Sequence, residues 1–171
     1  VKGAWFDYTT LLIHEGKLWI GQTDEPTIQV FNVTDGTLLF QENISSQNAY
    51  TSCVTSDGSL VFVHLLVDAN VSIDVVAYNA SSYEKVWQLD FDSLESGIDN
   101  NCVGEKSAVS GDALFITLSR CDVAKHPLVA LNKSTGELIW IANYSGSKDV
   151  APYDVSPVIA GGLVLISSYN Y

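Results

Sequence analysis

Val30-Phe-Asn-Val-Thr-Asp-Gly-Thr-Leu-Leu-Phe40, Ala77-Tyr-Asn-Ala-Ser-Ser-Tyr-Glu-Lys-Val-Trp87 and Ala130-Leu-Asn-Lys-Ser-Thr-Gly-Glu-Leu-Ile-Trp140 align without a gap. Each reads as one plan: an apolar pair ends a strand, Asn opens a turn rich in Ser, Thr and Asp, and an apolar run closing on an aromatic begins the next strand. Gly36 and Gly136 stand where such a hairpin needs positive φ. Tyr83 holds that place in the middle copy, which predicts a turn built differently there.

Upstream of each stretch lies a second hairpin with glycine at its tip. These are Glu15-Gly16 before Lys17-Leu-Trp-Ile20, Asp57-Gly58 before Ser59-Leu-Val-Phe62, and Ser110-Gly111 before Ala113-Leu-Phe-Ile116. A fourth first hairpin follows at Ser156-Pro-Val-Ile-Ala-Gly-Gly-Leu-Val-Leu-Ile166. The glycines Gly16, Gly58, Gly111 and Gly161 are 42, 53 and 50 residues apart. Four short strands per unit at that period predict an all-β propeller segment, with repeat units at roughly 8–45, 50–92 and 105–145 and a partial unit at 153–171. A four-stranded blade has two faces to bury and must stack on its neighbours, so a large aromatic on the last strand can fill the gap between blades. Phe40, Trp87 and Trp140 are the candidates for that docking position, and Trp5 is expected to close a preceding blade.

Composition narrows the function. The chain has 171 residues, 47% of them hydrophobic, which is enough for a core and excludes a disordered tail. With 20 acidic against 8 basic residues the formal charge is −12, which excludes the basic footprint of nucleic-acid binding. The longest apolar stretch, Leu60 to Val67, is interrupted by His64 and is far short of the roughly 20 residues of a membrane span, so no membrane insertion by this segment is expected. The chain has no methionine and neither the basic start nor the apolar core of a signal peptide, which predicts a processed or partial chain.

Asparagine occurs ten times, and six of these begin Asn-x-Ser/Thr: Asn32, Asn43, Asn70, Asn79, Asn132 and Asn143. With Ser and Thr at about one residue in six, chance would supply roughly two. The excess predicts N-glycosylation and a secreted, cell-surface or endoplasmic-reticulum lumenal protein. A turn-rich β chain also makes such triplets, because Asn, Ser and Thr all favour turns. Asn32, Asn79 and Asn132 share one repeat position at the mouth of the second hairpin, and Asn43 and Asn143 share another, three residues past the closing aromatic. Of three cysteines, Cys102 and Cys121 flank a predicted hairpin from Lys106 to Leu118 and are the expected disulfide, with Cys53 unpaired or paired outside the segment. Three buried, reduced thiols are the alternative.

Leu128-Val-Ala-Leu-Asn-Lys-Ser-Thr-Gly-Glu-Leu-Ile-Trp140 together with the 156–166 stretch resembles the pyrroloquinoline-quinone-type (PQQ-like) propeller repeat. The absence of a closing Trp-Asp dipeptide separates it from WD40 repeats. The resemblance implies a ring of seven or eight blades, of which this chain would supply a section. Quinone-dependent alcohol and glucose dehydrogenases resemble this repeat, and they hold the quinone and calcium with an adjacent-cysteine disulfide, a carboxylate, an amide and a general-base aspartate. No Cys-Cys pair stands here and no acidic residue matches such a motif, so the expectation is no catalytic, cofactor or metal residue and the non-enzymatic branch of the family. That branch implies a scaffold or interaction module, whose partners are other protein chains or the remaining blades, together with N-linked glycans. A quinone-dependent dehydrogenase fragment and an endoplasmic-reticulum lumenal sensor or complex subunit are the alternatives. His14, His64 and His126 have no partner at metal or triad spacing and are expected to be solvated or capped. Asp90 to Asp99 reads as a solvated inter-blade loop rather than a calcium loop.

Overall fold

The computed structural model describes residues 10–21, 27–44, 49–67, 74–91, 94, 103–119, 125–145 and 157–166. They form fourteen strands in four antiparallel sheets, the architecture of a partial β-propeller. The first blade is β1 (Thr10–His14), β2 (Lys17–Gly21), β3 (Thr27–Asn32) and β4 (Leu38–Asn43), paired in chain order. The second is β5 (Ala49–Ser56), β6 (Leu60–Val67), β7 (Asp74–Asn79) and β8 (Lys85–Asp90). The third is β9 (Val103–Ser110), β10 (Ala113–Ser119), β11 (Lys125–Asn132) and β12 (Leu138–Ser145). A two-stranded sheet, β13 (Val158–Ala160) and β14 (Leu163–Leu165), opens the fourth. First strands are neighbours from blade to blade, β1 against β5, β5 against β9 and β9 against β13. Among the described residues no helix is long and apolar enough to cross a membrane.

The second hairpin is the same object three times. The N–H of Asn32, Asn79 and Asn132 donates to the carbonyl five residues on, at Thr37, Glu84 and Glu137. The N–H of Gly36, Tyr83 and Gly136 donates back to the asparagine carbonyl at 2.8–2.9 Å. Each asparagine Oδ1 accepts from the backbone N–H two residues on, at Thr34, Ser81 and Ser134, an Asx-turn that fixes the reversal within the hairpin itself. A register shift follows at the same place in every copy, between Val30 and Phe31, Ala77 and Tyr78, and Ala130 and Leu131. The expectation of a different turn at Tyr83 is therefore corrected: Tyr83 adopts φ 63°, beside 72° at Gly36 and 75° at Gly136. Left-handed backbone costs a side-chain-bearing residue about 1–2 kcal/mol, and the ring contacts described below offset it.

Packing follows from the pleat. Along β6, Val61, Val63 and Leu65 face the first blade and join Trp19, Ile28, Val30 and Tyr78, while Phe62 turns the other way to Trp87, Leu114, Ile116 and Val129. Apart from His64, the run from Leu60 to Val67 is apolar at every position because the middle blade is covered on both faces. Each such side chain fully withdrawn from water is worth about 1.5–3 kcal/mol, so the two seams between blades are the core.

Candidate interaction site at the blade seams

Each seam is made by the last strand of one blade and the second hairpin of the next. At the first, Phe40 on β4 stacks on Tyr83 with centroids 5.3 Å apart and planes 18° from parallel, and meets Tyr78 edge-on at 6.1 Å. Trp19 flanks Tyr83 at 5.8 Å. The Lys17 ammonium donates to the Ala80 carbonyl at 2.9 Å and lies 5.0 Å over the Tyr83 ring. Lys85 bridges to Glu42 at 3.3 Å. Burial, and after it the Glu42 carboxylate, push the Tyr78 phenol well above its ordinary pKa. At one end of the β1–β2 ladder His14 Nε2 lies 2.9 Å from the Gly58 carbonyl, and at the other Gly21 leaves room for Thr51, whose side chain a Cβ would strike.

The second seam solves the same problem with different residues. Trp87 on β8 lies flat over the turn of the third blade, where a Cβ on Gly136 would come within 2.8 Å of its ring. Its Nε1 donates to the Lys133 carbonyl at 2.8 Å. Ala80 and Lys133 each follow the turn asparagine, so Lys17 and Trp87 satisfy the equivalent carbonyl in two seams. The Lys133 ammonium reaches Asp57 Oδ2 at 2.7 Å, and Asp57 Oδ1 accepts from Ser59 and Leu60. Although partial burial opposes ionisation, Lys133 and the N–H groups of Leu60 and Ser59 hold the Asp57 carboxyl well below the usual range, and Asp57 in turn raises Lys133. Deeper in, His64 is fully buried with Nε2 2.8 Å from Ser107 Oγ, and burial pulls its pKa down to about 4. This corrects the expectation of a solvated or capped histidine: His64 points into the seam, and Ser107 comes from the next blade.

The third docking position is open. Trp140 packs against Phe115 of its own blade at 5.8 Å yet stays 39% exposed, beside exposed Leu138 and Ile139, whereas Trp87 is 9% exposed.

Asn32, Asn79 and Asn132 are the half-buried turn residues already described, and Asn43 ends β4 as an exposed residue. Asn143 lies in β12, with its side chain outside the described part, as is that of His126 in β11. Asn70, Cys102, Cys121, Trp5 and most of the 90–99 stretch lie outside the described residues. Cys53 is a free buried thiol, 3.7 Å from Thr55 Oγ1. Gly16, Gly58, Gly111 and Gly161 occupy first-hairpin turns in the left-handed region. Among the described residues no three His, Cys, Asp or Glu side chains converge as metal ligands. The seam partners Lys17, Asp57, His64, Ser107 and Lys133 were not singled out by motif, because each meets its partner only once two blades are stacked.

Antiparallel four-stranded blades sharing one seam geometry define a β-propeller. The chain belongs to the PQQ-type family described as outer membrane protein assembly factor BamB, whose model matches residues 10–171. Among solved structures it is similar to the major allergen Mala s 1 of Malassezia sympodialis, with a TM-score of 0.60 and 11% identity over 86% of this chain and 52% of that one. The chain thus spans about half the length of that structure. A weaker likeness, TM-score 0.38 at 8% identity, links it to the glutaminyl cyclase of Myxococcus xanthus over 95% of this chain and 86% of that one. No curated protein sequence matches it.

Proposed function

We propose that this chain is a section of a non-catalytic propeller that serves as a scaffold or protein-interaction module in a secreted, cell-surface or lumenal glycoprotein. The observation that carries the reading is the open docking position: Trp140 is 39% exposed, whereas Trp87 at the same place in the second blade is 9% exposed and rests on the turn of the third. Its partner is another protein element, from further blades or another chain. The six sequons support the compartment, with Asn43 exposed on an outermost strand where a glycan would shield a sheet edge.

Mass spectrometry of natively sourced protein, with enzymatic release of N-glycans in heavy-oxygen water, is expected to label several of Asn32, Asn43, Asn70, Asn79, Asn132 and Asn143. Unlabelled asparagines throughout would remove the glycoprotein. Dye reduction that depends on added quinone and calcium would overturn the non-catalytic reading and establish the dehydrogenase instead.

A further inference from the structure

The last strands β4, β8 and β12 each end the strand order of their sheet, with one long edge facing away from it. They are copies of one repeat position, yet two differences single out β8. Three residues past the docking aromatic stand Asn43 in β4 and Asn143 in β12, each opening a sequon, but Asp90 in β8. Glycans at Asn43 and Asn143, part of the reading proposed above, shield the first and third edges and leave the second bare. Charge is the other difference. The ladder of β8 starts on Lys85 and ends on Asp90, where β4 has Leu38 and Asn43 and β12 has Leu138 and Asn143.

The pairing with β7 fixes which way the β8 side chains point. Trp87 pairs with Ala77 and Lys85 with Tyr78, so Val86 is the extra residue of the bulge, and successive ladder positions are Lys85, Trp87, Gln88, Leu89 and Asp90. Lys85 reaches Glu42 on the first blade, while Trp87 and Leu89 belong to the second seam. By the pleat, Gln88 and Asp90 share the face of Lys85, and all three are exposed. This order is its own complement about Gln88. An antiparallel copy laid along the edge with Gln88 opposite Gln88 sets Lys85 opposite Asp90 and Trp87 opposite Leu89, each pair on one face of the sheet.

We propose that β8 pairs with β8 of a second copy across a two-fold axis at Gln88, with Lys85 of each copy bridging to Asp90 of the other. An ammonium has three donors, so Lys85 keeps Glu42 while it donates to the second aspartate. Each copy carries a charge of −12, so edges without such complementarity repel, and the two cross-axis ion pairs set the register in which this one is accepted. The inference rests on the reading of the chain as an interaction module and names its partner as a second copy.

An edge of 6 residues is a small interface, so the dimer is expected to form at micromolar rather than nanomolar concentration. Light scattering on the intact chain, diluted from about 1 mM to about 1 μM, is expected to show the mass falling from twice 18.6 kDa to 18.6 kDa. K85E sets like charges opposite each other at both ends of the paired strands, and so does D90K; each is expected to stay at 18.6 kDa throughout. An equimolar mixture of the two is expected to dimerise, because every charge pair across the axis is then of opposite sign. Circular dichroism checks that the variants fold, and K85D or D90R replaces one that does not. A monomeric parent, a dimer that either variant leaves intact, or a mixture that stays monomeric overturns the proposal. A monomer carrying N-glycans would defeat the second copy and leave the scaffold reading standing. A dimer with quinone-dependent dye reduction would do the reverse.

Discussion

Gly36 and Gly136 have the same backbone conformation in the same turn and differ only in what lies above them. A Cβ on Gly36 would meet nothing within 4 Å, while one on Gly136 would press into the Trp87 ring. Gly36→Ala is therefore expected to cost only the left-handed penalty, about 1 kcal/mol, and Gly136→Ala that penalty plus about 1–3 kcal/mol of overpacking. Urea unfolding of the two variants measures the difference, and equal losses would mean that Trp87 does not rest on the turn. His64 supplies the pH dependence. With its pKa lowered from 6.5 to about 4, the unfolded chain binds the proton more readily. Stability is therefore complete above pH 6.5 and is lost as pH falls toward 4, by about 3 kcal/mol in total. In His64→Gln, which keeps a polar partner for Ser107 without a titrating group, the slope over that window should flatten. An unchanged slope would assign the acid sensitivity to other groups.

At the scale of elements, the hairpins were legible in the sequence because their chemistry is local. The asparagine carboxamide, the residue two places on and the left-handed position are all contained in one turn, so the three copies align without a gap. Tyr83 was misread because turn preference alone argues against it. What keeps it there is Phe40 and Lys17, on another blade. His64 was misread for the same reason, its partner lying 43 residues away across a seam. Spacing along a chain identifies what a blade does to itself and is silent on what it does to its neighbour. The docking aromatics test this division. Trp87→Ala is expected to cost about 3–5 kcal/mol, since it empties a buried site and strips the Lys133 carbonyl of its donor. Trp140→Ala, at an open position, should cost roughly 1 kcal/mol, in the range of a single aromatic pair. Chemical denaturation decides it, and comparable losses would mean that Trp140 is already covered in solution.

For the whole molecule, stability is a sum over seams rather than the property of one central core. Each blade contributes side chains to both neighbours, so loss of the second seam is expected to detach the third blade before the first two separate. In Trp87→Ala, hydrogen exchange should show β9–β12 losing protection while β1–β8 remain protected. Uniform loss over all three blades would mean a single cooperative unit.

The double use of one side chain has a practical consequence for genetics. Asn32, Asn79 and Asn132 are at once the acceptor residues of three sequons and the clamps of three turns, with Oδ1 engaged by backbone N–H groups. The usual way of erasing a glycan, Asn→Gln, would break the clamp as well, and the resulting misfolded chain would be blamed on the missing sugar. Thr34, Ser81 and Ser134 contribute their backbone N–H to that clamp. Replacing them with alanine removes the sequon and leaves the reversal intact, so a phenotype that survives the change of tool belongs to the carbohydrate and one that vanishes belonged to the fold.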